Sequence, residues 1–325
     1  MTPFPINEPI LVLIGPTAIG KTDLSLEIAE RFGCEIISMD SMQVYRYMDI
    51  GTAKVTAAEM ARIPHHLINI INPDEQYDAA RFVSDSLDAM DSIRSRHRIP
   101  LLTGGTGLYL KSLVHGLFEI LPTDNDLRNR LHQRLQEEGR EALFSELVQV
   151  DPETAARIHP NDTQRLLRGL EIFYLTSVPW SVHLNNQRQQ QKQKISRFTN
   201  ILQLGLHCER HLLYERIDRR TTIMLDQGLI EEVEQLRRMG YGPKLSSMQS
   251  IGYRHANRYI DGIWDAATMQ ETLVRDTRRY AKRQMTWFTA QKDIEWHQRT
   301  RTRDILARIE TFLSRCGGHE SLTSP

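Results

Sequence analysis

Lys21 and Thr22 close an eight-residue run, Gly15-Pro16-Thr17-Ala18-Ile19-Gly20-Lys21-Thr22, whose residue types and spacing suit the binding of phosphate. Backbone N–H groups at the mouth of a helix, the ammonium of Lys21 and a Thr22 hydroxyl able to ligate Mg2+ can together hold a diphosphate or a triphosphate. Such a cradle reports a polyphosphate and leaves the reaction open. Its flanks are those the motif requires: Ile10 to Ile14 is a continuous apolar run of strand length, and Asp23 to Phe32 has the periodicity of an amphipathic helix.

A second group of residues could act on whatever the cradle holds. Asp40 follows the strand pattern Glu35 to Met39, expected to pair with the cradle strand, and its carboxylate could serve as a general base beside the reacting end of a polyphosphate. The same residue type suits a Mg2+ ligand or a turn that caps Ser41. Thr106, within Gly104-Gly105-Thr106-Gly107, offers a hydroxyl either to a substrate or to a helix terminus. Arg216 and Arg220 stand one helical turn apart, which fits a phosphate clamp and equally a surface pair offset by Glu215 and Asp218. His65 and His66 lack a third ligand at metal spacing and read as loop structure.

Two helical patterns carry cations. Between Met269 and Phe288, at 100° per residue, Arg275, Arg278, Arg279, Lys282 and Arg283 fall within an arc of about 140°, with Leu273, Val274, Tyr280, Ala281, Met285, Trp287 and Phe288 opposite. Only Asp276 interrupts the stripe, toward its edge. Five uncompensated cations suit a phosphate backbone, and a solvated helix face gives the same pattern. Gln164, Arg165 and Arg168 cluster after Asn161 or Asp162, either of which could cap the helix; they could meet an RNA strand or form an exposed polar face.

These residues need a scaffold. Strand signals at Ile10 to Ile14, Glu35 to Met39 and Ile99 to Thr103 alternate with helical signals at Asp23 to Phe32 and Ala80 to Arg96, the signature of a parallel, helix-covered sheet with polar loops at its ligand-binding end. Beyond residue 120 helical periodicity takes over at Leu127 to Glu138, Glu141 to Val148 and Thr163 to Leu175. The Gln-, Asn- and Lys-rich stretch Asn185 to Lys194 then reads as a solvated loop or connector. Ile201 to Leu206 returns to strand pattern, and helices follow at Arg210 to Leu225, Leu229 to Met239 and Met269 to Phe288. The expected organisation is an α/β core in 1–118, an all-helical insertion in 119–198, a return to the core in 199–316 and a frayed tail at 317–325.

The bulk numbers agree with two globular domains: 325 residues, 40% hydrophobic and 25% charged. Because 41 basic and 41 acidic side chains cancel, any basic patch must arise by local segregation. Cys34, Cys208 and Cys316 stand apart in no paired or metal-binding spacing, as expected of reduced thiols in a cytosolic protein. Met1 to Glu8 carries prolines and an acid rather than a basic region followed by an apolar stretch, and no apolar run approaches membrane-spanning length. The expectation is a cytoplasmic protein without a membrane partner.

Six segments occur in an order that carries more information than any one of them: GPTAIGKT, SMDSMQVYRYMDIGTAK (Ser38 to Lys54), GGTGLYLK (Gly104 to Lys111), HPNDTQRLLR (His159 to Arg168), SIGYR (Ser250 to Arg254) and RRYAKRQMTWF (Arg278 to Phe288). Together, from about residue 10 to 297, they resemble the tRNA dimethylallyltransferases. The resemblance implies a P-loop NTPase-like α/β core with an inserted helical domain that grips the anticodon arm. It implies transfer of a dimethylallyl group from dimethylallyl diphosphate to N6 of the adenosine immediately 3′ of the anticodon, with Mg2+ present and diphosphate released. It places Lys21 and the cradle on the diphosphate, Thr22 on the metal, Arg216 or Arg220 near the diphosphate, and Asp40 against the amine as general base with Thr106 beside it. The tRNA anticodon stem-loop is then expected to meet Asp40, Ser41, Met42, Gln43, Thr106, Arg128, Gln164, Arg165, Leu166, Leu167, Arg168, Arg278, Arg279, Lys282 and Arg283. No protein partner is implied. The chain departs from the usual pattern at Ile19, usually Ser, at Tyr47, usually Gly, and at Val55, usually Pro.

Two other readings of the cradle compete. A small-molecule or nucleotide kinase would bind ATP there and consume it, and would need an acceptor site and an Arg-bearing lid. A GTP switch would need an Asn-Lys-x-Asp segment, which the chain lacks.

Overall fold

The computed structural model describes residues 5–116, 121–191 and 196–316. The first part of the chain runs β1 (Ile10–Ile14), α1 (Lys21–Phe32), β2 (Cys34–Met39), α2 (Ala57–Arg62), β3 (His65–His66), α3 (Ala79–Ser95), β4 (Ile99–Gly104) and α4 (Gly107–His115). Five helices follow: α5 (Asn125–Glu137), α6 (Gly139–Val150), α7 (Pro152–Arg157), α8 (Thr163–Thr176) and α9 (Trp180–Gln191). The last part is β5 (Ile201–His207), α10 (Arg210–Asp226), α11 (Leu229–Arg238), α12 (Tyr253–Ile260), α13 (Ala266–Thr289), β6 (Glu295–Gln298) and α14 (Thr302–Arg315). The chain divides into two compact units, one from Met1–Val114 with Arg197–Pro325, the other from His115–Ser196.

In the first unit, six strands among the described residues form an all-parallel sheet in the order β3-β2-β4-β1-β5-β6. Every residue of β1 and β2 is buried, as a sheet covered on both faces demands. Leu24, Ile28 and Phe32 recur every fourth residue along α1 and bury one stripe of the helix with Leu11, Leu13 and Leu204. Each aliphatic side chain so buried contributes about 1.5–3 kcal/mol. Register brings Ser38 opposite Thr103 and Met39 opposite Gly104, while Leu13 and Ile14 pair with the same two β4 residues. The carboxyl ends of β1, β4 and β2 therefore finish in one row, where ligands of open α/β sheets bind.

The expectation that β2 pairs with the cradle strand is corrected: β4 lies between β2 and β1. His65 and His66 are a short edge strand paired with Ile36 and Ile37 rather than a loop, and His66 Nε2 meets the buried Glu35 carboxylate at 2.8 Å. In the second unit, Leu131, Leu143, Leu147, Leu166 and Leu170 form a core of their own, and the Asp162 carboxylate caps α8 by accepting the Arg165 N–H. The stretch expected as a loop from Asn185 is helical through Gln191, where α9 ends; its remainder, like the tail 317–325, lies outside the described residues. Polar composition misled there because Gln187 is buried on this helix. Among the described residues no helix is long and apolar enough to cross a membrane.

Candidate active site

The carbonyls of the cradle loop are bound by side chains. Gly20, the residue before α1, has φ 92°, a conformation that costs a side-chain-bearing residue about 1–2 kcal/mol. Its carbonyl accepts from Arg299 Nε at 3.1 Å, and the Ile19 carbonyl accepts from Arg216 Nη1 at 3.1 Å. Lys21 Nζ donates to the carbonyls of Gly15 and Pro16 at 2.9 and 2.8 Å. Three cationic side chains thus take carbonyls of the loop, an arrangement that suits presentation of its N–H groups to an anion. Burial pushes the Lys21 ammonium down to about 7; the Arg220 charge adds to that shift and Asp40 opposes it.

One of those N–H groups is already assigned. Thr17 N donates to Gln284 Oε1 at 2.9 Å, and Gln284 Nε2 donates to the Gly105 carbonyl at 3.0 Å. A single buried amide on α13 therefore ties the cradle to the Gly104–Gly107 loop. Gly105 must be glycine for this, since a Cβ there would sit 2.1 Å from Gln284 Nε2. Sequence reasoning missed Gln284, which is one more polar residue by type.

Two cavities meet over this frame. The first, about 280 Å3, is lined by Thr17, Lys21, Thr22, Ser38, Gln43, Thr103, Arg216 and Gln284 among others. The second, about 320 Å3, is lined by Ser41, Met42, Ile217, Met224, Ile251, Arg254, Leu273 and Arg283 among others. Thr17, Asp40, Thr52, Arg220 and Tyr280 wall both, so they form the neck between a polar chamber on the cradle side and a more apolar one beyond it. Asp40 Oδ1 accepts the Met42 N–H at 2.8 Å, which turns the chain so that Asp40 borders both cavities. Arg220 is half-buried there and has no hydrogen bond or ion pair among the described residues; burial lowers its pKa and the Asp40 charge opposes that. Tyr280 was expected on the packing face of α13 and instead reaches the neck, where burial and then the Asp40 charge push its phenol up, keeping it protonated.

The loop from Asp40 to Lys54 is fastened to α11 and α12. The Glu232 carboxylate accepts the N–H groups of Asp49, Ile50 and Gly51 at 2.9, 2.7 and 3.2 Å, and the Tyr253 hydroxyl at 2.6 Å. Val44, Tyr45 and Met48 sink into a core with Val233, Met248, Tyr253 and Leu273. Thr106 walls neither cavity; its Oγ1 accepts the Ser41 N–H at 3.2 Å and so braces the turn that carries Asp40.

The stripe on α13 is not uncompensated, which corrects the sequence expectation. Arg278 makes two bonds to Asp218 of α10 and lies over Tyr214, while Asp276 faces Arg254, Arg275 and Arg279. Asp218, on another helix, was invisible to a one-helix periodicity, and Asp276, visible at the edge of the stripe, faces more of its cations than that position suggested. Lys282 and Arg283 stay exposed, and neither has an ion pair among the described residues. In the helical unit, Gln164 and Arg165 are exposed, with Arg165 ion-paired to Asp162, and Arg128 and Arg168 both pair with the buried Glu171, at 2.8 and 2.6 Å. Leu166 and Leu167 are 0% and 8% exposed, so their side chains serve the core of that unit.

A family model described as IPP transferase matches residues 43–291, and one described as isopentenyl transferase matches residues 9–69. The chain belongs to the IPP transferase family. It is 51% identical over 308 residues to the tRNA dimethylallyltransferase of Desulfotalea psychrophila, covering 95% of this chain and 96% of that one. The full-length tRNA isopentenylpyrophosphate transferase of Bacillus halodurans superposes with a TM-score of 0.69 at 38% identity, covering 95% of this chain and 98% of that chain. A eukaryotic dimethylallyltransferase acting on tRNA gives 0.74 at 29% identity, covering 95% of this chain and 80% of that chain.

Proposed function

We propose that this IPP transferase moves a dimethylallyl group from dimethylallyl diphosphate to N6 of the adenosine immediately 3′ of the anticodon of a tRNA, releasing diphosphate. The observation that carries this reading is the neck: one carboxylate, Asp40, borders both a phosphate-cradle chamber and a second chamber beyond it. The allylic C–O bond breaks with its electron pair going to the diphosphate, the N6 lone pair bonds to that carbon, and the N6 proton passes to the Asp40 carboxylate. An exocyclic amine is a weak nucleophile, so proton removal during attack contributes. Charge develops on the departing oxygen, which the cradle N–H groups, Lys21 and Arg220, all lining the first chamber, would stabilise.

Thr22 lines the cradle chamber, and no cluster of three His, Cys, Asp or Glu side chains able to hold a metal occurs among the described residues. This donor set fits Mg2+ held by the Thr22 hydroxyl, diphosphate oxygens and water. When bound, the ion neutralises charge on the leaving diphosphate.

An unpaired loop base is cheap to extrude, and the second chamber, with Ser41, Met42, Arg254 and Arg283 on its wall, is assigned to the adenine. Lys282 and Arg283 on α13, with Gln164 and Arg165 on the helical unit, are assigned to the RNA backbone. A stem-loop carrying adenosine at the acceptor position should take up label from prenyl-labelled dimethylallyl diphosphate. The same stem-loop with purine riboside there, which lacks the 6-amino group, should bind and take up none. Label on the purine-containing RNA, found by nucleoside analysis, would place the chemistry elsewhere.

A further inference from the structure

Tyr47 is the outlier of the loop that carries Asp40. Its φ is 65°, a left-handed backbone unusual for an aromatic residue, and its side chain is 48% exposed. Among the described positive-φ residues other than glycine, it alone pairs that backbone with a large exposed hydrophobic side chain. The neighbours hold the strain in place. Tyr45 and Met48 are buried on either side, Arg46 donates to the Asn69 carbonyl and to Asn72 Oδ1, and Asp49 N is bound by Glu232. A side chain kept outward at such a position does nothing for the core.

The position has a direction. Tyr47 stands at the apex of a loop whose two ends, Asp40 to Met42 and Gly51 to Thr52, wall the chamber assigned to the acceptor base. It lies stacked beside Tyr241, with ring centroids 6.5 Å apart and planes at 25°, next to the exposed guanidinium of Arg46. An exposed tyrosine ring backed by a half-buried one, with an exposed cation beside it, is the chemistry that takes an unstacked nucleobase. We infer that Tyr47 is a stacking platform for an unpaired base near the acceptor adenosine in the same RNA loop. The inference rests on the RNA reading above and adds a contact that its catalytic residues do not supply.

The test is titration of an unmodified anticodon stem-loop into the wild type, Tyr47→Gly and Tyr47→Phe. Glycine relieves the backbone and removes the ring; phenylalanine keeps the ring. Tyr47→Gly is expected to weaken stem-loop binding roughly tenfold, as loss of one stacked base does. Affinity for dimethylallyl diphosphate should hold, and Tyr47→Phe should bind RNA like the wild type. An abasic scan of the loop should contain one position whose penalty disappears in Tyr47→Gly. RNA binding that is indifferent to position 47, or abasic penalties that all persist in Tyr47→Gly, would overturn the inference alone. Failure of the wild type to bind the stem-loop would overturn the RNA reading with it.

Discussion

Asp40→Asn is expected to lower the rate of transfer at saturating substrates by about 10²–10⁴-fold, the usual contribution of a positioned general base. Asparagine keeps an oxygen to accept the Met42 N–H, so the turn at the neck survives and only the proton acceptor is lost. Stem-loop affinity should stay nearly unchanged, because one carboxylate contributes little to an interface dominated by backbone contacts. Single-turnover transfer measured beside an RNA titration separates the two. Equal loss of rate and affinity would make Asp40 an RNA-positioning group instead.

Arg220→Met is expected to cost about 10²–10³ in kcat, the scale for removing one oriented group from a developing anion. Arg216→Met should cost less, because Arg216 is exposed, walls only the cradle chamber and already donates to the Ile19 carbonyl, whereas Arg220 stands at the neck. The pair also gives a pH signature. In the free protein Lys21 is held down to about 7, so near pH 8.5 it is largely neutral, and a bound diphosphate draws a proton onto it. Binding at that pH should therefore draw close to one proton onto Lys21, and at pH 6, where Lys21 is already charged, uptake by this group should vanish. Because Arg220 is one of the charges that lower Lys21, Arg220→Met should raise its pKa, reduce proton uptake near pH 8.5 and move the uptake window upward. Calorimetric titration of dimethylallyl diphosphate in buffers of different ionisation enthalpy reads this directly. Uptake independent of both pH and Arg220 would remove Lys21 from the account.

What was legible in the sequence is what is local. The cradle, β1 and the stripe of α1 follow from residue types within a few positions of one another, and the observed β1 matches the expected Ile10 to Ile14. Strand order is not local. The expected β2–β1 pairing failed because β4, more than 60 residues downstream of Met39's strand start, inserts between them. The site shows the same division. Lys21 and Asp40 announce themselves by motif, but periodicity assigned Tyr280 to packing, and nothing in the neighbourhood of Gln284 indicates that its amide spans two loops. Those roles exist only once α13 lies across the ends of β1 and β4. The paired state of Arg278 likewise depends on Asp218 from another helix.

The central claim is that the cradle holds a leaving group. The most direct measurement is the stoichiometry of diphosphate released per prenyl group transferred to an unmodified anticodon stem-loop, with Mg2+ present and without ATP. The account predicts one diphosphate for each prenylated adenosine, and no change on adding ATP. Transfer that requires ATP, with ADP appearing in step, would contradict it.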